Sequence, residues 1–189
     1  MLSLDDGRWS ELQSTYGDGR RVARLLSDAA AGTQKDEWYD DLFQELCHQY
    51  TVSEAAYAAM PHLVVLARQS EIARKHLLVL IGACYASAQM PNSRPIPEDL
   101  APEWHSAAKE AIPLVGNSLT EDGISETDLR YLLSSISALH GYPSLAYVIE
   151  GLDTEIECPN CGALIDPISS SLSMGSSSEA NGGSSKSGE

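Results

Sequence analysis

Phenylalanine occurs once in this chain, and all aromatic residues together make only 6% of its 189 positions. Sheet cores draw on aromatic and β-branched side chains, so an apolar set led by alanine and leucine argues for helix. Basic residues are also scarce: 12 Lys and Arg face 27 Asp and Glu, for a formal net charge of −15. Such a field repels phosphate backbones and anionic lipid, so neither nucleic acid nor a membrane is expected as a partner. A basic protein is the class of partner the charge favours; plain solubility is the simpler reading of the same excess. No run of 18 apolar residues is present, so no membrane span is expected. The opening MLSLDDGRW has acids where a signal peptide carries bases, which predicts a cytoplasmic location. Four cysteines, unevenly spaced, are too few for a disulfide scaffold. Gly-x-Ser-x-Gly, His-Glu-x-x-His and a glycine-rich dinucleotide loop are all missing, and Gly17-Asp18-Gly19 precedes no lysine-serine pair. The chain therefore reads as non-enzymatic.

What is present is helical periodicity, with 43% hydrophobic residues to bury. Its organising stretch is 36–68, DEWYDDLFQELCHQYTVSEAAYAAMPHLVVLAR. Trp38, Leu42, Phe43 and Leu46 form an apolar stripe, and Asp36, Glu37, Asp40, Asp41 and Glu45 mostly cover the opposite face. HQYTVS is a turn, with Ser53 as N-cap of an alanine-rich helix that runs through Pro61. Before this pair, Ser10–Tyr16 predicts a short helix with Ser10 or Asp6 as cap, and 20–30 predicts a second with Val22, Leu25, Leu26 and Ala29 inward. After it, 71–89 predicts a helix apolar almost all round, with Cys84 as a small core hydrophobe. The proline-rich 91–102 is an extended loop. A helix resumes from Glu103 through Pro113 to Leu119. The next opens at Ser125 or Thr127, with Leu129, Leu132, Leu133, Ile136 and Leu139 as its apolar face. Gly141 stops that helix, and a last short one covers 144–151. The boundaries drawn are a helical domain over 1–152, a Cys-x-x-Cys hairpin over 153–168, and a disordered Ser/Gly-rich tail over 169–189.

A weak repeat runs through the helices. AAYAAMP at 55–61 matches AAKEAIP at 107–113 in four of seven positions, each proline following helical sequence. Without the proline loop the offset is near 40 residues, close to the period of roughly 40–47 of HEAT and armadillo repeats. The expected fold is all-α: an antiparallel helical stack, a fragment of a HEAT/armadillo-like α-solenoid.

Over residues 9–67 the chain also resembles a group of HEAT-like bacterial proteins. The likeness is carried by Trp9, Leu12, Tyr16, Gly17, Trp38, Leu42, Leu46, His48, Gln49, Thr51, Tyr57, Pro61, His62 and Leu63. Tyr50 departs from it, standing where glycine is expected. The resemblance implies protein binding. For some small bacterial proteins of this style it implies an antidote or immunity-type role against a toxin, or a regulatory one.

Three places could carry chemistry. Cys158-Pro159-Asn160-Cys161-Gly162 is half of a zinc knuckle, since the turn aims both sulfurs at one point. Cys47 and His48, or a second chain, would have to complete the site. The alternatives are a metal-free hairpin and a redox pair. Zinc is thus the one cofactor in question, and a zinc-dependent regulator or enzyme is the competing function. His48 and Gln49, with Tyr57 and His62, make a candidate binding patch; the plainer reading has them finishing one helix and starting the next. The acidic group at 36–45 is a solvated face or a patch for a basic partner. Glu45 and His48 have Glu-x-x-His spacing, but a di-iron bundle needs two such pairs.

Overall fold

A computed structural model describes residues 1–151 together with the backbone of 156–157 and 164–165, and among the described residues the chain forms seven α-helices. Two compact units divide at Glu150. The first is the helical domain. Among its helices α1 is Arg20–Ala31, α2 Trp38–Leu46, α3 Glu54–Gln69, α4 Arg74–Ala88, α5 Ala101–Leu119, α6 Glu126–Leu139 and α7 Pro143–Glu150. The fold is all-α apart from two short hairpin ladders. No helix among the described residues is long and apolar enough to cross a membrane.

Consecutive helices pack on one another, and so do alternate ones. α3 touches α1 and α5, while α4 touches α2 and α6. The segments AAYAAMP and AAKEAIP lie on the neighbouring helices α3 and α5, each with its proline inside the helix. Arg68 and Glu110 join the same two helices on the surface at 2.8 Å. α4 is the central rod: Leu77, Leu78, Leu80, Ile81 and Cys84 are all buried, as the nearly continuous apolar run predicts. Gly82, in its middle, lets α6 approach until a Cβ there would meet the Cβ of Ser135 at 2.4 Å. Ser125 caps α6 by accepting from Asp128 N–H at 3.0 Å, and Gly141 stops it with φ +86°.

Three expectations are corrected. Ser10–Tyr16 is not a helix. A 3-10 turn over Gly7–Ser10, capped by the Asp6 carboxylate on Arg8 N–H, is followed by a loop tied by Gly19 N–H to Leu12 C=O. Only Leu12 in 10–16 finds the core, and Ser14 and Thr15 bond backbone groups across the loop instead of extending a helix. HQYTVS is more than a turn: β1, Cys47–His48, pairs antiparallel with β2, Thr51–Val52. The two residues between them, Gln49 and Tyr50, have φ of 48° and 58°, both left-handed, the pattern of a type I′ hairpin. Tyr50 therefore occupies a conformation that glycine would adopt without strain. Finally, the apolar face of α6 is only partly covered. Leu132 and Leu139 are buried, but Leu129 and Leu133 keep 36% and 39% of their surface exposed.

In the second unit, β3, Ile156–Glu157, pairs antiparallel with β4, Leu164–Ile165. Cys158 and Cys161 and the tail from 169 lie outside the described residues.

Candidate functional site

The four residues of the sequence-derived patch are divided between surface and core. His48 and Gln49 line a shallow groove of about 330 Å³ with Gln13, Thr15, Thr51 and Arg94. His48 Nδ1 lies 3.0 Å from Gln44 Oε1, and its ring meets Tyr16 edge-on at 5.8 Å. Tyr57 is fully buried. Its hydroxyl donates to Arg94 C=O at 2.7 Å, tying the proline loop to α3, and its phenol is pushed up to about 12, chiefly by burial.

His62 is also buried, beside Trp9 and with Nε2 2.8 Å from Leu2 C=O. Burial holds its imidazole below the ordinary value of 6.5; the bond to Leu2 works the other way but is weaker. The unfolded chain thus protonates more readily than the folded one. The stability that neutral His62 supplies is whole above pH 6.5 and is lost as pH falls towards the lower folded value. Wild type is expected to lose more urea stability than His62→Gln between about pH 7.5 and about pH 5.5. Equal losses would remove His62 from the acid response.

Of the two residues proposed to complete a zinc site with Cys158 and Cys161, His48 lies at the surface groove and Cys47 is engaged in the interior of the helical domain. Cys47 is buried 3.4 Å from Ser87 Oγ and hydrogen-bonds with Cys84. That bond pushes the Cys84 thiol up and the Cys47 thiol down, and burial raises Cys84 further. Among the described residues no three His, Cys, Asp or Glu side chains gather as a metal site requires. The acidic group is also split. Asp36, Glu37, Asp40 and Asp41 are exposed, but Glu45 is 1% exposed, with Arg21 Nη1 at 3.0 Å. Its face of α2 is turned to α1, so Glu45 belongs to an ion pair under the surface rather than to a solvated patch.

One feature was not found by sequence reasoning, and a second is open there only as a small-ligand pocket between helix 71–89 and its neighbours, with no lining residues named. The first is a set of exposed apolar residues on the last two helices. Leu129 and Leu133 of α6 and Leu145 and Val148 of α7 are exposed, with Tyr142 between the helices 63% exposed. The second is a pocket of about 230 Å³ bordered by Phe43 of α2, Tyr50 of the hairpin, Val79 and Ala83 of α4, Tyr131, Ser134 and Ser135 of α6, and Tyr147 and Glu150 of α7. Tyr50 meets Tyr147 edge-on at 4.9 Å. Tyr147 OH is 3.3 Å from Ser87 Oγ, and burial raises its phenol, so it stays neutral. A helical-spacing signal for this pocket exists in pieces: Tyr131 with Ser134 and Ser135, and Tyr147 with Glu150, each share one helix face. The aromatic residue at the glycine position of the hairpin is the third piece.

No protein-family model matches this chain, and neither a curated protein nor a solved structure does.

Proposed function

We propose that the chain is a non-enzymatic protein-binding module, a HEAT-like helical stack whose α6–α7 end docks on a basic protein. The antidote or regulatory role implied by the sequence resemblance is the biological form we favour. The observation that carries the reading is that four large aliphatic residues of the last two helices, Leu129, Leu133, Leu145 and Val148, stay exposed. Exposed aliphatic residues on a chain of net charge −15 fit a partner that presents apolar side chains among lysines and arginines. Side-by-side packing of the Pro61 and Pro113 helices supports the repeat character.

The test is retention of partners by immobilised full-length chain. Wild type and Ile72→Asp, a change at an exposed apolar residue far along the chain, are expected to retain the same basic protein. Leu145→Asp/Val148→Asp is expected to lose it. Equal retention by all three would place the docking surface elsewhere, and no retained protein would remove the reading.

A zinc-holding hairpin is the second reading, and one observation favours it: the paired strands Ile156–Glu157 and Leu164–Ile165 bracket Cys158 and Cys161. Metal analysis of the purified chain is then expected to find near-stoichiometric zinc that disappears in Cys158→Ser. A metal-free wild type purified under reducing conditions would exclude it.

A further inference from the structure

We propose that the pocket between α2, the 47–52 hairpin, α4, α6 and α7 binds an alkylammonium group. Four of its lining residues are aromatic: Phe43, Tyr50, Tyr131 and Tyr147. Aromatic faces carry negative potential and attract ammonium cations, most strongly where water is excluded. Glu150 adds a carboxylate, and no lysine or arginine is among the described lining residues.

The two serines of the lining are turned the same way. Ser134 donates its hydroxyl proton to Ala146 C=O at 3.0 Å, and Ser135 donates to Tyr131 C=O at 2.8 Å. Both protons are spent on backbone carbonyls, so the hydroxyls offer the pocket only lone pairs. A lining rich in aromatic rings, with serine lone pairs and a carboxylate, favours a cation, and the tyrosine hydroxyls can turn their lone pairs to it. The volume, about 230 Å³, is under the roughly 300–1,000 Å³ of sites for drug-sized ligands, which fits an amine headgroup or one side chain. Tyr131 already meets a cation: the Arg130 guanidinium, which is not part of the lining, lies 5.0 Å from its ring centroid.

Tyr50 supplies a second, independent argument. It holds φ +58° in a two-residue turn where glycine would be unstrained, and it spends that strain on placing a ring against Tyr147 at the pocket's edge. Backbone strain of this kind persists where surrounding contacts hold it and gathers at ligand sites. A glycine would relax the turn and open one wall of the pocket.

The ammonium can come from a free small amine or from a lysine side chain, methylated or not, of a protein partner. The inference does not depend on the protein-binding reading, since a free amine would fill the same pocket. The experiment titrates the full chain, followed by NMR, with choline and with its neutral carbon isostere 3,3-dimethylbutanol. Choline is expected to saturate tyrosine ring shifts, with the isostere weaker by on the order of tenfold. Glu150→Gln and Tyr50→Gly are each expected to weaken choline by a comparable factor, about tenfold. Tyr50→Gly should keep a Tm no lower than that of wild type, which separates a lost wall from a lost fold. An added arm with acetyl-Nε-trimethyllysine amide identifies the source: tighter binding than choline marks a partner's side chain, and weaker binding marks a free amine. Equal binding of choline and isostere, no saturation with either, or unchanged binding in Tyr50→Gly would overturn the proposal.

Discussion

Gly82→Ala is expected to destabilise the chain by about 3 kcal/mol, the reverse of what this substitution does in an ordinary helix. In a solvent-facing helix interior, alanine is favoured over glycine by about 1 kcal/mol. At Gly82 the new Cβ would lie 2.4 Å from Ser135 Cβ and Oγ and 2.5 Å from Ser135 Cα. One of those atoms is backbone, so a rotamer change cannot relieve the overlap. α4 and α6 must separate, and the buried residues between them loosen together. Urea titration of the full chain measures the cost from the shift in midpoint. Ser135→Gly should restore part of it, because the side-chain overlap disappears while the overlap with the backbone of α6 stays. The two sites touch, so their effects will not add. Gly82→Ala with wild-type stability would mean that α4 and α6 do not approach this closely. The pocket would then lose its floor, since Ala83 and Ser135 border it.

Trp104→Ala should be comparably damaging, at about 3–5 kcal/mol. Trp104 on α5 is 1% exposed and joins two other helices through aromatic pairs. It meets Tyr57 of α3 edge-on at 4.9 Å and stacks on Tyr85 of α4 at 5.6 Å with 16° between planes. Such pairs add to simple burial, because ring edges carry positive and ring faces negative potential. Domains of this size are stable by roughly 5–15 kcal/mol, so the loss is a large share of the whole. Trp104→Phe keeps a ring for both neighbours and is expected to recover most of the midpoint. A Trp104→Ala chain that unfolds at the wild-type urea concentration would contradict the role given to this cluster.

The helices were legible because their burial follows one period. In α1, Val22 and Leu26 are buried at the spacing that the sequence shows, and in α3 and α5 the runs of alanine face neighbouring helices as small residues allow. Ser125 and Gly141 marked the ends of α6 because cap chemistry is local. The hairpin was harder. Strands of two residues are too short for alternation to be seen, and the one local cue, an aromatic at an expected glycine, was readable only as an oddity. Periodicity also says that a stripe is apolar without saying what covers it. Leu129 and Leu133 have the same spacing as their buried neighbours, and only the packing of α4, α5 and α7 reveals that they are left outside. His62 and Tyr57 read as patch residues because they follow the turn closely in sequence; the helix rotates both into the core. The pocket draws on residues from 43 to 150, so it becomes visible only when the chain has folded.

The α6–α7 end of the helical domain is proposed as the surface on which this chain meets another protein. The most direct measurement is photocrosslinking from a benzoylphenylalanine placed at Val148 and, separately, at Ile72, in the full chain and in native lysate. A discrete adduct with a basic protein is expected from position 148, suppressed by excess unlabelled wild-type chain, and none from position 72. The same adduct from both positions, or none from 148 under conditions where the partner is retained, would contradict it.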